Sequence, residues 1–350
     1  MALPSIFDQR QTLGTSGLQV SPVCVGTHQF GGSWGSELDG VADAIRFAMD
    51  HGVNFIDTAE AYGWGAANRA LSEALGGALG TRRDDFVICS KVGLRPDSDA
   101  PLGRVRDASR NSIRAALDRS LQTLGVDYVD ILMLHYPDDS APLDETIEAF
   151  REAIDSGKAR SIGLSNHSLE QIDAVAGAVD VAVAQFPLSL LSREPGSVIA
   201  AGCRARTITG MAWGPLGQGF LTGSPPIPDA LVAGDYRAAA RWFDDGGWSG
   251  RLAASRKLNQ LAAAHGVTAS QLALAWIRAA YPGTVPVFGA LGPEQASENI
   301  GSLTIELTAS LAREIEATTA DAPPLDLWDA VPENPLARKE ERSAHEGLGS

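Results

Sequence analysis

Short apolar runs alternate along the chain with longer segments in which apolar positions recur every three or four residues. The runs at 23–26, 54–57, 86–91, 129–135, 159–165, 181–185, 207–213 and 285–288 predict strands. Between them, Val41, Ala44, Ile45 and Ala48 share one face of a helix opening near Asp39. Ile113, Leu117, Leu121 and Leu124 do the same over 109–124, and further helices are expected near 67–79, 143–156 and 169–175. Eight strands alternating with helices predict an α/β fold, a (β/α)8 TIM barrel, with its chemistry at the C-terminal strand ends. Residues 11–22, with Gly14 and Gly17 flanking a tight turn, predict an N-terminal β-hairpin. A doubly wound sheet is the competing layout, but it requires a dinucleotide fingerprint after the first strand. The glycine-rich stretch Gly31-Gly32-Ser33-Trp34-Gly35 lacks that pattern.

Three stretches break the rhythm. The segment after 86–91, rich in Pro96, Asp97, Ser98, Asp99 and Pro101, reads as a loop. Residues 222–252 read as a long active-site loop. Residues 322–350, rich in proline and charge, read as a partly ordered tail that follows a single domain spanning 1–321.

The strand ends carry the chemistry. Phe55-Ile56-Asp57 ends in an acid, Ile88-Cys89-Ser90-Lys91 in an amine, and Leu132-Met133-Leu134-His135 in an imidazole. Tyr62 lies in the loop after the first of these. Taken singly, each has an ordinary role: a helix cap, a packed ring, an interior ion-pair lysine, a satisfied core histidine. Taken together they form a proton-handling chain. A free phenol titrates at about 10, and a nearby ammonium is expected to lower that value. A buried ammonium in turn needs a carboxylate. Asp57 would hold Lys91, Lys91 would tune Tyr62, and His135 would donate to the same reacting oxygen.

Composition narrows the classes. The 350 residues suit one large domain or two ordinary ones, and 44% hydrophobic content supplies a sizeable core. No apolar run reaches membrane-spanning length, and residues 1–10 lack the basic head and apolar middle of a signal peptide, so a cytoplasmic protein is expected. A net charge of −15 argues against nucleic acid or an anionic membrane as partner. Cys24, Cys89 and Cys203 form no metal spacing, and Cys24 and Cys89 read as small core residues. A barrel metallohydrolase would need several more His and Asp ligands than His135 and Asp57.

In order along the chain, Asp57-Thr58-Ala59-Glu60-Ala61-Tyr62-Gly63, Lys91, Leu134-His135-Tyr136-Pro137-Asp138-Asp139, the segment 157–166 and the segment 214–219 resemble the aldo-keto reductase family. The resemblance runs from about residue 11 to about residue 310. It implies reduction of an aldehyde or ketone by NAD(P)H, with Asp57, Tyr62, Lys91 and His135 as the catalytic tetrad. Alcohol oxidation in the reverse direction, or a regulatory module retaining the cofactor site, are the alternatives it leaves open. It places Gly26 and Thr27 beside the nicotinamide, and Ser165, Asn166 and Gln185 on its carboxamide. Trp213 takes the place of a stacking aromatic that is usually Tyr in relatives, and Gly214 that of a frequent serine. Pro215, Leu216, Gln218, Gly219 and Leu221 match the loop around the pyrophosphate. Gly289, Ala290, Leu291, Gln295, Glu298 and Asn299 match the adenosine segment.

This last segment departs from the family pattern. Ala290, Leu291 and Gly292 stand where many relatives carry Ser or Thr followed by Arg or Lys for the 2′-phosphate of NADPH. NADPH is still expected, with three readings of the departure: NADH is used as well as or instead of NADPH, a remote arginine such as one from 222–252 substitutes, or NADPH binds more weakly. His28, Trp34 and Tyr136 are expected to line the substrate pocket, with Phe186, Trp242, Trp248 and Trp328 as further wall candidates.

Overall fold

A computed structural model describes residue 6 and residues 9–31, 38–100, 103–227, 231, 235, 237 and 246–327. Eight parallel strands close a barrel: β3 (Cys24–Gly26), β4 (Phe55–Asp57), β5 (Val87–Val92), β8 (Val129–Leu134), β9 (Ala159–Ser165), β10 (Val181–Pro187), β11 (Thr209–Trp213) and β12 (Thr284–Phe288), which returns to β3. Their helices are α1 (Leu38–Asp50), α2 (Ala66–Leu75), α3 (Ala78–Thr81), α4 (Arg110–Leu124), α5 (Leu143–Asp155), α6 (Leu169–Ala176), α7 (Gly196–Ala205), α8 (Trp248–Ala264), α9 (Ala269–Ala280), α10 (Pro293–Gly301) and α11 (Ala309–Thr318).

Side chains alternate across each strand with a period of two. Ile56, Ile88, Leu132, Ile162 and Ala184 pack outward with the helices. Phe55, Val87, Cys89, Ile131, Met133, Val183 and Met211 form a separate inner core. Continuing that inner register to the C-terminal ends gives Asp57, Lys91, His135, Gln185 and Trp213. The barrel's own alternation therefore delivers these side chains to its upper rim.

The lower end is closed by the hairpin β1 (Gln11–Thr12) and β2 (Gln19–Val20), whose Leu13, Leu18 and Val20 join the inner core. Gly14 sits at φ 49°, its N–H bonded to Thr209 Oγ1 at 2.8 Å. A Cβ there would lie 2.3 Å from the Ala182 carbonyl oxygen, so only glycine fits this plug.

Three expectations are corrected. The segment after β5 is a second hairpin rather than a loop: β6 (Leu94–Pro96) pairs antiparallel with β7 (Arg104–Arg106). The helix expected at 67–79 breaks at Gly76, which adopts φ 53° and separates α2 from α3. The 222–252 insertion ends in helix, since α8 opens at Trp248. Beyond residue 321 the chain still packs: Leu325 and Leu327 are fully buried, and Leu325 N–H bonds the Leu191 carbonyl at 2.6 Å. All three cysteines are buried and free, and no helix among the described residues is long and apolar enough to cross a membrane.

One buried ion network holds the lower half. Asp130, fully buried on β8, accepts from Arg83 at 2.6 Å, from Arg160 at 2.9 Å and from Ile88 N–H at 2.9 Å. Both guanidinium groups also lie over the Tyr128 ring. Removing the acid strands a largely buried arginine, so Asp130→Ala should destabilise the fold by ~3–5 kcal/mol. Urea unfolding measures this, with Asp130→Asn expected to lose less.

Candidate active site

Asp57 ends β4, Lys91 lies one residue before the end of β5, and His135 follows β8 directly. Lys91 Nζ donates to both Asp57 oxygens at 2.7 Å, to the Thr58 carbonyl at 3.2 Å and to Tyr62 Oη at 3.1 Å. The amine is fully buried. Burial alone would lower its pKa, but the Asp57 carboxylate overrides this and holds Lys91 well above the usual lysine range. The Tyr62 ring packs edge-on against His28 at 4.8 Å and against His135 at 5.9 Å. His135 stacks nearly parallel on Tyr136 at 4.8 Å.

The expected lowering of the Tyr62 pKa is reversed. Burial pushes the phenol well above its ordinary value; the Lys91 charge and hydrogen bond pull it down but do not win. Tyr62 is therefore a protonated phenol across neutral pH. Burial, then Lys91, Arg104 and His28, push His135 well below the ordinary histidine range, so it is a neutral imidazole. Its Nδ1 is buried with no hydrogen-bond partner.

Beneath the reactive loop runs a buried relay that sequence reading missed. Thr27 Oγ1 donates to Thr58 Oγ1 at 2.8 Å, Thr58 to Asn68 Oδ1 at 2.8 Å, and Asn68 Nδ2 to Thr123 Oγ1 at 3.3 Å. Glu60, also buried, takes a short ion pair from Arg119 on α4. These bonds fix the loop between Asp57 and Tyr62 to two helices. Thr27 thus serves the loop with its side chain, while Gly26 is partly exposed at its strand end.

Ser165, Asn166 and Gln185 form one buried polar cluster. Asn166 stands at φ 62°, a left-handed conformation that asparagine tolerates. Its amide donates to the His135 carbonyl at 3.0 Å and to Ser165 Oγ at 3.0 Å, and its oxygen accepts from Trp213 Nε1 at 3.0 Å. Gln185 Nε2 donates to Asp57 Oδ1 at 3.0 Å, so this cluster touches the Asp57–Lys91 pair directly.

After β11, Gly214 and the run Gly217, Gln218 and Gly219 all adopt positive φ. Pro215 and Leu216 lie in the same loop, while Leu221 is fully buried and packs in the core. Arg237 donates to the Gln218 carbonyl at 3.2 Å and is paired with Asp235 at 2.6 Å. An arginine from the insertion thus reaches this loop, not the adenosine segment.

In that segment a Cβ at Gly289 would meet Gln29 Nε2 at 1.7 Å, so Gln29 fills the space beside it. Ala290 is buried against Ala44 and Ala296, and Leu291 is exposed. Gln295 accepts from Leu291 N–H at 2.9 Å, Asn299 donates to the Gly289 carbonyl at 3.3 Å, and Glu298 is half-buried.

Among the wall candidates, His28 and Tyr136 lie beside the phenol and imidazole. Phe186 does not: it is fully buried in the outer core, packed with the helices. Trp248 is half-buried, its Nε1 turned to the Pro226 carbonyl at 3.4 Å. Trp34, Trp242 and Trp328 lie outside the described residues. Also missed were Arg104 and Arg106 on β7; the signal was the alternating Arg104-Val105-Arg106 opposite Leu94-Arg95-Pro96. No metal-holding cluster of His, Cys, Asp and Glu occurs among the described residues.

The buried histidines give a pH prediction. Burial first, then nearby positive charge, lowers His28 to about 4 from an ordinary 6.5. Burial brings His167, whose Nδ1 bonds the Ser165 carbonyl at 2.7 Å, to about 4 as well. A depressed folded-state pKa means that the unfolded chain takes up the proton first. Stability should therefore be full above pH 6.5 and fall as pH drops from 6.5 towards 4. Thermal melts across that window check this, and His167→Gln should flatten the dependence.

A barrel whose rim holds a buried carboxylate, ammonium and phenol in contact, beside a neutral imidazole, is built for proton transfer to or from a reacting oxygen. Residues 22–320 match the sequence model of the aldo/keto reductase family. Aldo-keto reductase yakc of Schizosaccharomyces pombe, whose name specifies NADP(+), is 29% identical over 306 residues, covering 85% of this chain and 87% of the relative. Aldo-keto reductase YhdN of Bacillus subtilis is 30% identical over 287 residues, covering 81% and 85%. Among solved structures, a glycerol dehydrogenase from Gluconobacter oxydans superposes with a TM-score of 0.77 at 27% identity, covering 93% of this chain and 97% of that one. The holo form of an aldo-keto reductase from Bacillus halodurans gives 0.71 at 25% identity, covering 88% and 95%. The chain belongs to the aldo/keto reductase family and is a nicotinamide-dependent oxidoreductase acting on carbonyl compounds.

Proposed function

We propose that this protein reduces an aldehyde or ketone to the alcohol, with Tyr62 as the proton donor. The observation that carries this reading is the position of Lys91 Nζ, 2.7 Å from Asp57 and 3.1 Å from Tyr62 Oη. When bound, a reduced nicotinamide supplies the hydride. Tyr62 releases its proton to the oxygen on which negative charge develops, and the buried ammonium stabilises the phenolate left behind. Asp57 keeps Lys91 charged and, through Gln185, ties it to the amide cluster. His135, neutral and with an unpartnered nitrogen, adds a hydrogen bond to the same oxygen. Run backwards, the same groups take a proton from an alcohol.

The donor set suits the cofactor. Ser165, Asn166 and Gln185 offer the donors and acceptors a carboxamide needs, with Trp213 beside them as a flat apolar face. The left-handed run 217–219, backed by Arg237, suits a pyrophosphate. The adenosine segment holds Glu298 and no lysine or arginine between Gly289 and Asn299. That segment offers no cation for a 2′-phosphate and so leaves room for NADH, whereas the name of the S. pombe relative specifies NADP(+); we assign NADPH as cofactor on that likeness, with NADH also accepted. Three buried, free cysteines suit a reducing, cytoplasmic setting.

Absorbance at 340 nm with NADPH and a panel of aldehydes tests the reading. Turnover of at least one carbonyl is expected. Tight cofactor binding with no turnover of any would favour a non-catalytic, regulatory module.

A further inference from the structure

The hairpin β6–β7 packs against the neighbours of two reactive side chains, Tyr62 and His135. Its Leu94 packs with Tyr136 and with Ala61, the residue before Tyr62. Arg104 and Arg106 lie two apart on β7 and so share one face of it. Arg106 lies over the Tyr136 ring at 5.5 Å and donates to the Pro137 carbonyl at 3.1 Å. Across the hairpin, Arg95 is paired with Asp97 and Asp107. Arg104 differs. It is half-buried, yet its side chain makes no hydrogen bond or ion pair with any described residue.

Arg104 is also the hairpin charge that reaches the site most widely. After burial and Lys91, its charge adds to the depression of His28 and His135, and it opposes the burial-driven rise of Tyr136. A half-buried guanidinium whose donors have no side-chain or backbone partner can gain charge-assisted hydrogen bonds from an anion. Asp97 and Asp107 beside the hairpin serve Arg95, and the chain as a whole carries a net charge of −15, so this cation is a local feature.

We infer that Arg104 is a specificity residue that binds an anionic substituent of the substrate, so that the preferred carbonyl compound carries a carboxylate or phosphate beyond its reacting carbon. The inference rests on the reductase reading and names the substrate class of that same site. A planar guanidinium matches either anion with paired hydrogen bonds, and lysine at the same place supplies charge without the fork.

The test uses the full chain with NADPH and matched substrates: 4-carboxybenzaldehyde against methyl 4-formylbenzoate, and glyceraldehyde 3-phosphate against glyceraldehyde. The anionic member of at least one pair should show ~10-fold or more higher kcat/KM, residing mainly in KM. The pair showing the preference identifies the anion. Arg104→Gln should abolish the preference, and Arg104→Lys should retain part of it. Calorimetry of the NADP+-loaded protein with the unreactive pair benzoate and benzamide gives a second readout. The carboxylate should bind more tightly, and Arg104→Gln should remove the difference. Equal use of acid and neutral partners in both pairs, or a loss in Arg104→Gln that strikes both alike, overturns the inference. Absence of turnover with Arg104-dependent carboxylate binding would instead sink the reductase reading and leave the anion site standing.

Discussion

Tyr62→Phe should lower carbonyl turnover by ~100-fold or more while leaving cofactor affinity nearly unchanged. The substitution removes one oxygen from a half-buried ring and keeps the ring's edge contacts with His28 and His135. The fold therefore loses one hydrogen bond, to Lys91, and that amine keeps its Asp57 and Thr58 partners. What disappears is the proton. On the proposed mechanism no other group beside the phenol can replace it: Lys91 is held charged by Asp57, and His135 is neutral and pressed well below its ordinary range. Steady-state kinetics separate the outcomes, because a purely structural role for Tyr62 would shift KM or stability instead of kcat. A wild-type kcat in this variant would remove Tyr62 from the chemistry.

Lys91→Met should be the more damaging change. Methionine matches the length of the lysine stem, so packing survives, but Asp57 is left buried with the neutral side chains of Gln185 and Cys89 as partners. Breaking a buried pair by deleting one partner costs about 3–5 kcal/mol. Turnover should fall at least as far as in Tyr62→Phe, since nothing then stabilises the phenolate. Because both residues act in one step, the double variant Tyr62→Phe with Lys91→Met should lose little more activity than the worse single variant. Stability, in contrast, should track Lys91 alone. Urea denaturation and initial rates on the three variants check both statements.

Much of this site could be read before any coordinates because a strand has a two-residue period. Phe55 and Asp57, or Val87, Cys89 and Lys91, are recognisable as one face of one strand. Counting from the apolar run is enough to send Asp57, Lys91 and His135 to the same rim. The β6–β7 hairpin was not legible for an opposite reason. Pro96, Asp97, Ser98, Asp99 and Gly103 signal turns so strongly that two short strands, with Leu94 and Val105 as their apolar residues, are submerged. That error concealed Arg104. The direction of the Tyr62 pKa was also beyond the sequence, since spacing shows which charges are neighbours but not how completely water is removed. Phe186 misled in the same way. It neighbours Gln185 in sequence, but the strand's alternation turns it to the opposite, outer face. The relay Thr27–Thr58–Asn68 joins three elements through short polar side chains, which carry no periodic signature.

The central claim is that Tyr62 Oη, held by Lys91, meets the substrate oxygen. The most direct measurement is a crystal structure of the protein with NADP+ and an unreactive carbonyl ligand. The carbonyl oxygen should lie about 2.6–3.2 Å from Tyr62 Oη and within hydrogen-bond reach of His135. A carbonyl bound well away from Tyr62, with the phenol still bonded only to Lys91, would contradict it.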